Sequence, residues 1–268
     1  MKKIIALFLA LVLVLSFVGC GAKDDNKLVM ATNAAFPPYE FKADDGSFAG
    51  IDVEIAGLIA EELGLELEIV DIDFGAIIAG VETGKYDMGM AGLTVTDERK
   101  ESVNFTESYA KGIQSVIVKA DSEYESFEDF YTGFDADENP AGVKEGIKIG
   151  VQQDTTGDIY SSDKPENWGF GEANVERYKT GADAVEALKS GKVTAVIIDN
   201  EPAKSFVNAN EGLKILDGSY AEEDYAIAVN KKDTKLLDDI NAALKTLTDN
   251  GEIAKIVNKY IPANADEK

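Results

Sequence analysis

Met88-Gly89-Met90-Ala91-Gly92-Leu93-Thr94-Val95-Thr96-Asp97-Glu98-Arg99 reads as a buried strand that emerges into a loop and then enters a short helix. Arg99 closes the phrase. It is one of two arginines, with Arg177, against twenty-four lysines. Lysine therefore carries the general basicity, and a rare arginine stands out for its geometry. Its guanidinium is always charged and presents a planar fork that grips a carboxylate with two bonds. The hydroxyls of Thr94 and Thr96 lie five and three residues before it. Free backbone groups at such a place can bind the two charges of a small zwitterion. The phrase equally fits a surface salt bridge at a helix start, and by itself it does not choose between the two.

Outward from this phrase, strand-like and helix-like segments alternate, which argues for an α/β class. Residues 28–32, 65–70, 88–91 and 113–119 read as strands, as do 147–151, 175–178, 194–198 and 224–229. Residues 53–63 have helical spacing, with Ile55, Leu58, Ile59 and Leu63 on one face and Asp52 as the cap. Shorter helices are expected over 77–83, ending at Gly84, and over 157–162, 182–190 and 202–208. Helices 235–248 and 252–260 close the chain on either side of Asn250-Gly251. Between the halves, 121–146 is acidic, aromatic and rich in turn formers, which predicts a short helix over 127–131 and then a loop. Two α/β halves in succession can turn their strand ends toward a common cleft, and open α/β sheets bind ligands beyond those carboxyl ends.

Residues 1–20 read as a targeting segment. Lys2 and Lys3 precede an apolar core over 4–18, interrupted only by Ser16, and Gly19 then precedes Cys20. Cys20 is the only cysteine of the chain, so an internal disulfide is excluded. A cysteine directly after a signal core resembles a bacterial lipobox, with Phe17 where leucine is usual. On that reading 1–19 are removed, Cys20 carries the lipid anchor and 20–26 form a polar leash. An ordinary cleaved signal is the other reading. Removal of 1–19 takes two lysines and no acid, and moves the formal charge from −24 to −26. Such a surface repels nucleic acid and anionic lipid. The chain has no histidine, which excludes Ser-His-Asp and Cys-His catalysis and His-ligated zinc. No calcium loop of the Asp-x-Asp-x-Asp-Gly type is present, and no cofactor or metal is called for.

Six phrases in register resemble the amino-acid branch of the extracytoplasmic solute-binding proteins of bacterial ABC importers, the family 3 type. They are Ala31-Thr32-Asn33-Ala34-Ala35-Phe36-Pro37-Pro38-Tyr39-Glu40-Phe41, Gly50-Ile51-Asp52-Val53-Glu54, Gly84-Lys85-Tyr86-Asp87-Met88, Ala91 to Lys100, Gly150-Val151-Gln152-Gln153-Asp154-Thr155-Thr156-Gly157, and Val196-Ile197-Ile198-Asp199-Asn200-Glu201-Pro202-Ala203. They span nearly the whole mature chain. The resemblance implies a two-lobed type II periplasmic-binding-protein fold, with two hinge crossings and a ligand cleft between lobes. One lobe would comprise 27–112 and 222–268, the other 113–221. The resemblance further implies that Arg99 and the backbone N–H groups of Thr94 and Thr156 hold the ligand carboxylate. The Gly92 carbonyl, the Thr94 hydroxyl and the Asp199 carboxylate would take the ammonium. Phe36 and Phe74 would wall the ligand side chain, and Asn33 and Gln152 would meet its distal end. Asp199 also fits a helix cap before Pro202, and phenylalanines are more often plain core. Arg177 has no motif around it and is assigned to the surface.

The implied function is a lipid-anchored, monomeric binding protein that captures a polar amino acid outside the cytoplasm and delivers it to ABC permease subunits. In a Gram-negative cell the site of action is the periplasm. An enzyme of the cyclohexadienyl dehydratase type on the same scaffold is the alternative. It needs a pocket acid that no ammonium neutralises, and the sequence offers none beside Asp199. A carrier for a chemoreceptor is the third reading. Departures from the family pattern bear on the ligand. Asn33 stands where many relatives carry aspartate, Gly75-Ala76 replaces Asp-Ser, Asp154 replaces glycine, and the 133–146 loop is long. Without a carboxylate at 33, a neutral ligand such as glutamine or cystine is expected ahead of arginine.

Overall fold

The structure, a computed structural model, describes residues 26–262. Cys20, the signal segment and most of the leash lie outside the described residues. In chain order the elements are β1 (Lys27–Thr32), β2 (Ala35–Phe36), β3 (Glu40–Lys42), β4 (Phe48–Ala49), α1 (Ile51–Leu63) and β5 (Glu66–Asp71). A 3-10 turn (Phe74–Ala76) leads into α2 (Ile77–Glu82), β6 (Met88–Gly89), α3 (Asp97–Ser102), β7 (Val103–Phe105) and β8 (Ala110–Lys119). The second half runs through β9 (Ile149–Gln152), α4 (Thr156–Ser162), β10 (Val175–Tyr178), α5 (Gly181–Lys189), β11 (Ala195–Asp199) and α6 (Asn200–Ala209). Then come β12 (Leu213–Ile215), β13 (Ala221–Tyr225), β14 (Ala228–Asn230), α7 (Thr234–Asp249) and α8 (Glu252–Tyr260).

Two mixed sheets form the two lobes. The first has the order β5-β1-β6-β14-β7, and the second β10-β9-β11-β8-β12 with β13 on β8. In the first sheet β1 runs parallel to β5 and β6; in the second β9 runs parallel to β10 and β11. The central strand β11 is buried along its whole length and is apolar up to Asp199 at its end. The chain crosses from the first sheet to the second between Phe105 and Ala110, and returns between Tyr225 and Ala228. The crossings lie side by side, with β13 antiparallel to β8 from Ala110↔Tyr225 to Gln114↔Ala221. The strand expected over 224–229 is therefore two strands in two sheets. The apolar run is continuous because both halves are buried, and the break at Ala226-Ile227 leaves no trace in composition.

Other expectations shift for local reasons. The helix expected from 53 starts at Ile51, and Gly50 precedes it at φ 123. A Cβ on Gly50 would lie 2.2 Å from the Tyr39 carbonyl oxygen, so only glycine lets the chain enter here. Asp52 thus sits inside the helix and makes no cap. Residues 127–130 form a single 3-10 turn, fixed by a Ser126–Asp129 capping box, in place of the helix expected over 127–131. The small sheet β2-β3-β4 was not expected, because its strands of two or three residues are too short for a periodicity. Among the described residues no helix is long and apolar enough to cross a membrane.

Candidate functional site

Parallel strands of both sheets end at one cleft. Asn33 follows β1, Gly92 and Thr94 lie in the loop after β6, Gln152 ends β9 and Asp199 ends β11. This is the strand-end position that the α/β pattern predicts. Arg99 arrives on α3, whose cap is the Thr96 hydroxyl, accepting the Arg99 N–H at 3.1 Å. Phe36 comes from the small sheet and Phe74 from the 3-10 turn. A narrow cavity is lined by Asn33, Phe36, Phe74, Gly92, Thr94, Arg99, Gln152, Thr156 and Asp199. The structure thus gathers every residue that the sequence proposes for ligand contact. It adds Glu40, Ala91 and Thr155.

The walls meet across the cleft. Arg99 donates from Nη1 to the Thr94 carbonyl at 2.8 Å and from Nη2 to the Asp154 carbonyl of the other lobe at 3.1 Å. The Thr94 and Thr156 hydroxyls stand 3.4 Å apart. Gln152 Nε2 donates to Asn33 Oδ1 at 2.9 Å, while Asn33 Nδ2 donates to the Ile72 carbonyl at 2.8 Å. The Asn33 amide is thus engaged on both atoms by protein partners. The Arg99 guanidinium lies 5.4 Å over the Phe74 ring, a cation–π distance. Gly92 adopts φ 51, and a Cβ there would come within 2.9 Å of the Phe36 ring. Its N–H donates to Asp52 Oδ2 at 2.8 Å, and the Tyr109 hydroxyl donates to the same oxygen at 2.9 Å. Asp52, expected as a helix cap, instead fixes the loop that carries Gly92. Asp199 precedes α6 but its side chain makes no cap bond; it accepts from the Tyr225 hydroxyl.

The charge balance of the cavity corrects one reading. Among the described residues that line it, Arg99 is the one base and Glu40 and Asp199 are the two acids. The sequence offered no pocket acid beside Asp199. Glu40 is 1% exposed, and its Oε2 is buried without a hydrogen-bond partner. Burial and the neighbouring Asp52 push its carboxyl well above the usual range. Burial raises Asp52 to about 6. Burial, with Glu223 as the next cause, raises Asp199 to about 7. Sequence reasoning missed Glu40 because a glutamate after Pro37-Pro38-Tyr39 reads as surface, and only the fold of β2 and β3 buries it. Arg177, assigned to the surface, is partly exposed but tied down by Asp158 at 2.8 Å and Glu172 at 2.6 Å.

A cleft of this kind between two α/β lobes leaves open which family the chain belongs to, and comparison decides it. The family model of bacterial extracellular solute-binding proteins, family 3, matches residues 28–263. The chain belongs to that family. The family 3 protein is 31% identical over 268 residues to the arginine-binding extracellular protein ArtP of Bacillus subtilis, covering 97% of this chain and 98% of ArtP. An ancestral arginine-binding protein has been solved in two liganded forms, each superposing with a TM-score of 0.77. The glutamine-bound form is 33% identical and the match covers 89% of this chain and 99% of that one. The arginine-bound form is 34% identical, with 88% and 98% covered. The two-lobed type II fold of the family 3 protein agrees with these neighbours.

Proposed function

We propose that this protein captures arginine in the interlobe cleft and presents it to an ABC importer. The observation that carries the reading is the set of ionisable groups in the cavity: one guanidinium and two buried carboxyl groups, of which Glu40 is held toward its neutral form until a cation meets it. The complement of that set is a ligand with one carboxylate and two cationic groups. In this reading the Arg99 fork, with the N–H groups of Thr94 and Thr156, takes the α-carboxylate. Asp199, the Gly92 carbonyl and the Thr94 hydroxyl take the α-ammonium. Glu40 takes the side-chain cation, and Phe36 and Phe74 stack on its planar faces, which favours a guanidinium over an ammonium. Glutamine would bring no second cation to Glu40, so the acid would stay neutral and add little to its binding. The neutral ligand expected from Asn33 loses support, since Glu40 supplies the acid that position 33 lacks. The arginine-binding names of the relatives point the same way.

The chain is further proposed to be a monomer anchored through a diacylated Cys20 after removal of 1–19. Its lobes, expected to divide at 112/113 and 221/222, are proposed to divide and to close at the two crossings, 105–110 and 225–228. An enzyme of the dehydratase type would need a pocket acid that no ligand ammonium neutralises, and Glu40 is a candidate, so an assay with prephenate and arogenate belongs beside the binding screen. No product is expected. The screen is a thermal-shift series over the twenty amino acids, cystine and ornithine. A ligand at 100 times its dissociation constant stabilises the folded state by about 2.7 kcal/mol. Arginine should give the largest rise in Tm. A larger rise with glutamine or cystine would return the reading to a neutral ligand.

A further inference from the structure

The two arginines of the chain are joined by a single run of hydrogen bonds. Arg177, on β10, donates from Nε to both Asp158 oxygens at 2.9 and 2.8 Å, and from Nη2 to Ser162 Oγ at 2.8 Å. Asp158 Oδ2 accepts the N–H of Asp154 at 3.1 Å. The Asp154 carbonyl accepts from Arg99 Nη2 at 3.1 Å. Asp158 is buried, and a buried carboxylate needs a charged partner to hold its place. Arg177 is that partner, and Glu172 holds the outer face of its guanidinium.

Asp154 explains why such a brace is needed. Its φ is 65, in the left-handed region that favours glycine, so the turn is strained for an aspartate. Its Oδ2 lies 2.1 Å from the place a Cβ on Gly75 would take. In this arrangement the Asp154 side chain fills the space that a side chain at residue 75 would take. The two departures read from the sequence, Gly75 and Asp154, are thus one steric pair across the mouth of the cleft.

We propose that Arg177 is a positioning residue for Arg99: through Asp158 it holds the Asp154 turn whose carbonyl orients the Arg99 fork when the lobes are closed. The inference rests on the reading of Arg99 as the carboxylate fork. Its effect belongs to the closed state and to the ligand carboxylate.

The test compares arginine with argininamide, which lacks the carboxylate, on the wild type, Arg99→Lys, Arg177→Gln and Arg177→Gln/Asp154→Gly, by calorimetry and stopped-flow. Arg177→Gln is expected to weaken arginine about fivefold to tenfold through faster dissociation, with a smaller loss for argininamide. Asp154→Gly, which removes the strain at φ 65, should recover part of the lost affinity, a rescue that a general loss of stability would not show. If Arg177→Gln does not fold, Arg177→Lys, which keeps the charge but fewer contacts, carries the same comparison. Equal losses for both ligands without rescue overturn the brace. So does wild-type affinity in the Arg177 variants while Arg99→Lys loses binding. Unchanged affinity in Arg99→Lys overturns the fork, and the brace with it.

Discussion

Arg99 is 8% exposed and held by two main-chain carbonyls, one from each lobe, so its fork is pre-set at little further entropy cost. Arg99→Lys replaces the fork with a point charge. It is expected to cost roughly 2–5 kcal/mol of binding while the fold survives. Calorimetry on the folded variant reads this directly, and native affinity would remove Arg99 from the site. The buried acids add a pH dependence. Asp199 and Asp52 titrate above their unfolded values, so between about pH 4 and about pH 7 the folded chain binds more protons than the unfolded one. The stability of the free protein therefore falls as pH rises through that window. An ammonium beside Asp199 favours the carboxylate and expels the proton. Arginine affinity is expected to climb from about pH 5 to about pH 8, with protons released. Titrations in two buffers of different ionisation enthalpy count them; proton uptake would contradict the pairing. At this scale the sequence was legible where a residue type has few uses, as with Arg99, or where the resemblance gives the residue a ligand role, as with Asp199. Glu40 and Asp52 were not, because their roles come from burial that distant segments create.

The elements that matter most are the two crossings. Tyr225 ends β13, is fully buried and reaches Asp199 with its hydroxyl, so the hinge touches the site. Gly112 on β8 lies beneath it, and a Cβ there would stand 2.5 Å from the Tyr225 ring. Gly112→Ala is expected to cost about 1–3 kcal/mol by overpacking and to weaken binding by tilting Tyr225 off Asp199. Urea denaturation and titration of the variant measure the two effects, and wild-type values in both would detach the hinge from the site. Strands with apolar runs, such as β8 and β11, and helices with clear stops, such as α7 and α8, were readable from pattern. The division of 224–229 between two sheets was not, since 225–229 form one unbroken buried apolar run across the change of sheet. The 3-10 turn at 127–130 shows the opposite failure. There a local capping box and aromatic packing decided the conformation, and Phe127 meets Trp168 and Tyr220 edge-on rather than extending a helix.

Across the whole molecule, the formal charge of −24 surrounds a cleft that is itself acidic. A cationic ligand is drawn in from a distance set by the screening length, about 30 Å at 0.01 M salt and about 8 Å at 0.15 M. The association rate of arginine should fall over that range of salt, and that of glutamine should not. Stopped-flow fluorescence from Trp168 or the tyrosines can follow both; parallel salt curves would contradict the steering. The two-lobed architecture was legible from the order of α/β units and the six phrases, because both reflect the chain as a whole. The ligand was not, because it depends on which acids the closed lobes bury together. That dependence also marks the decisive measurement. Calorimetric titration of the wild type and Glu40→Gln with arginine and with glutamine compares the cavity with and without its second acid. Tight arginine binding to the wild type is expected, with a loss of about tenfold or more in Glu40→Gln and no such loss for glutamine. Arginine binding indifferent to Glu40→Gln, or glutamine bound more tightly than arginine by the wild type, would contradict arginine as the ligand.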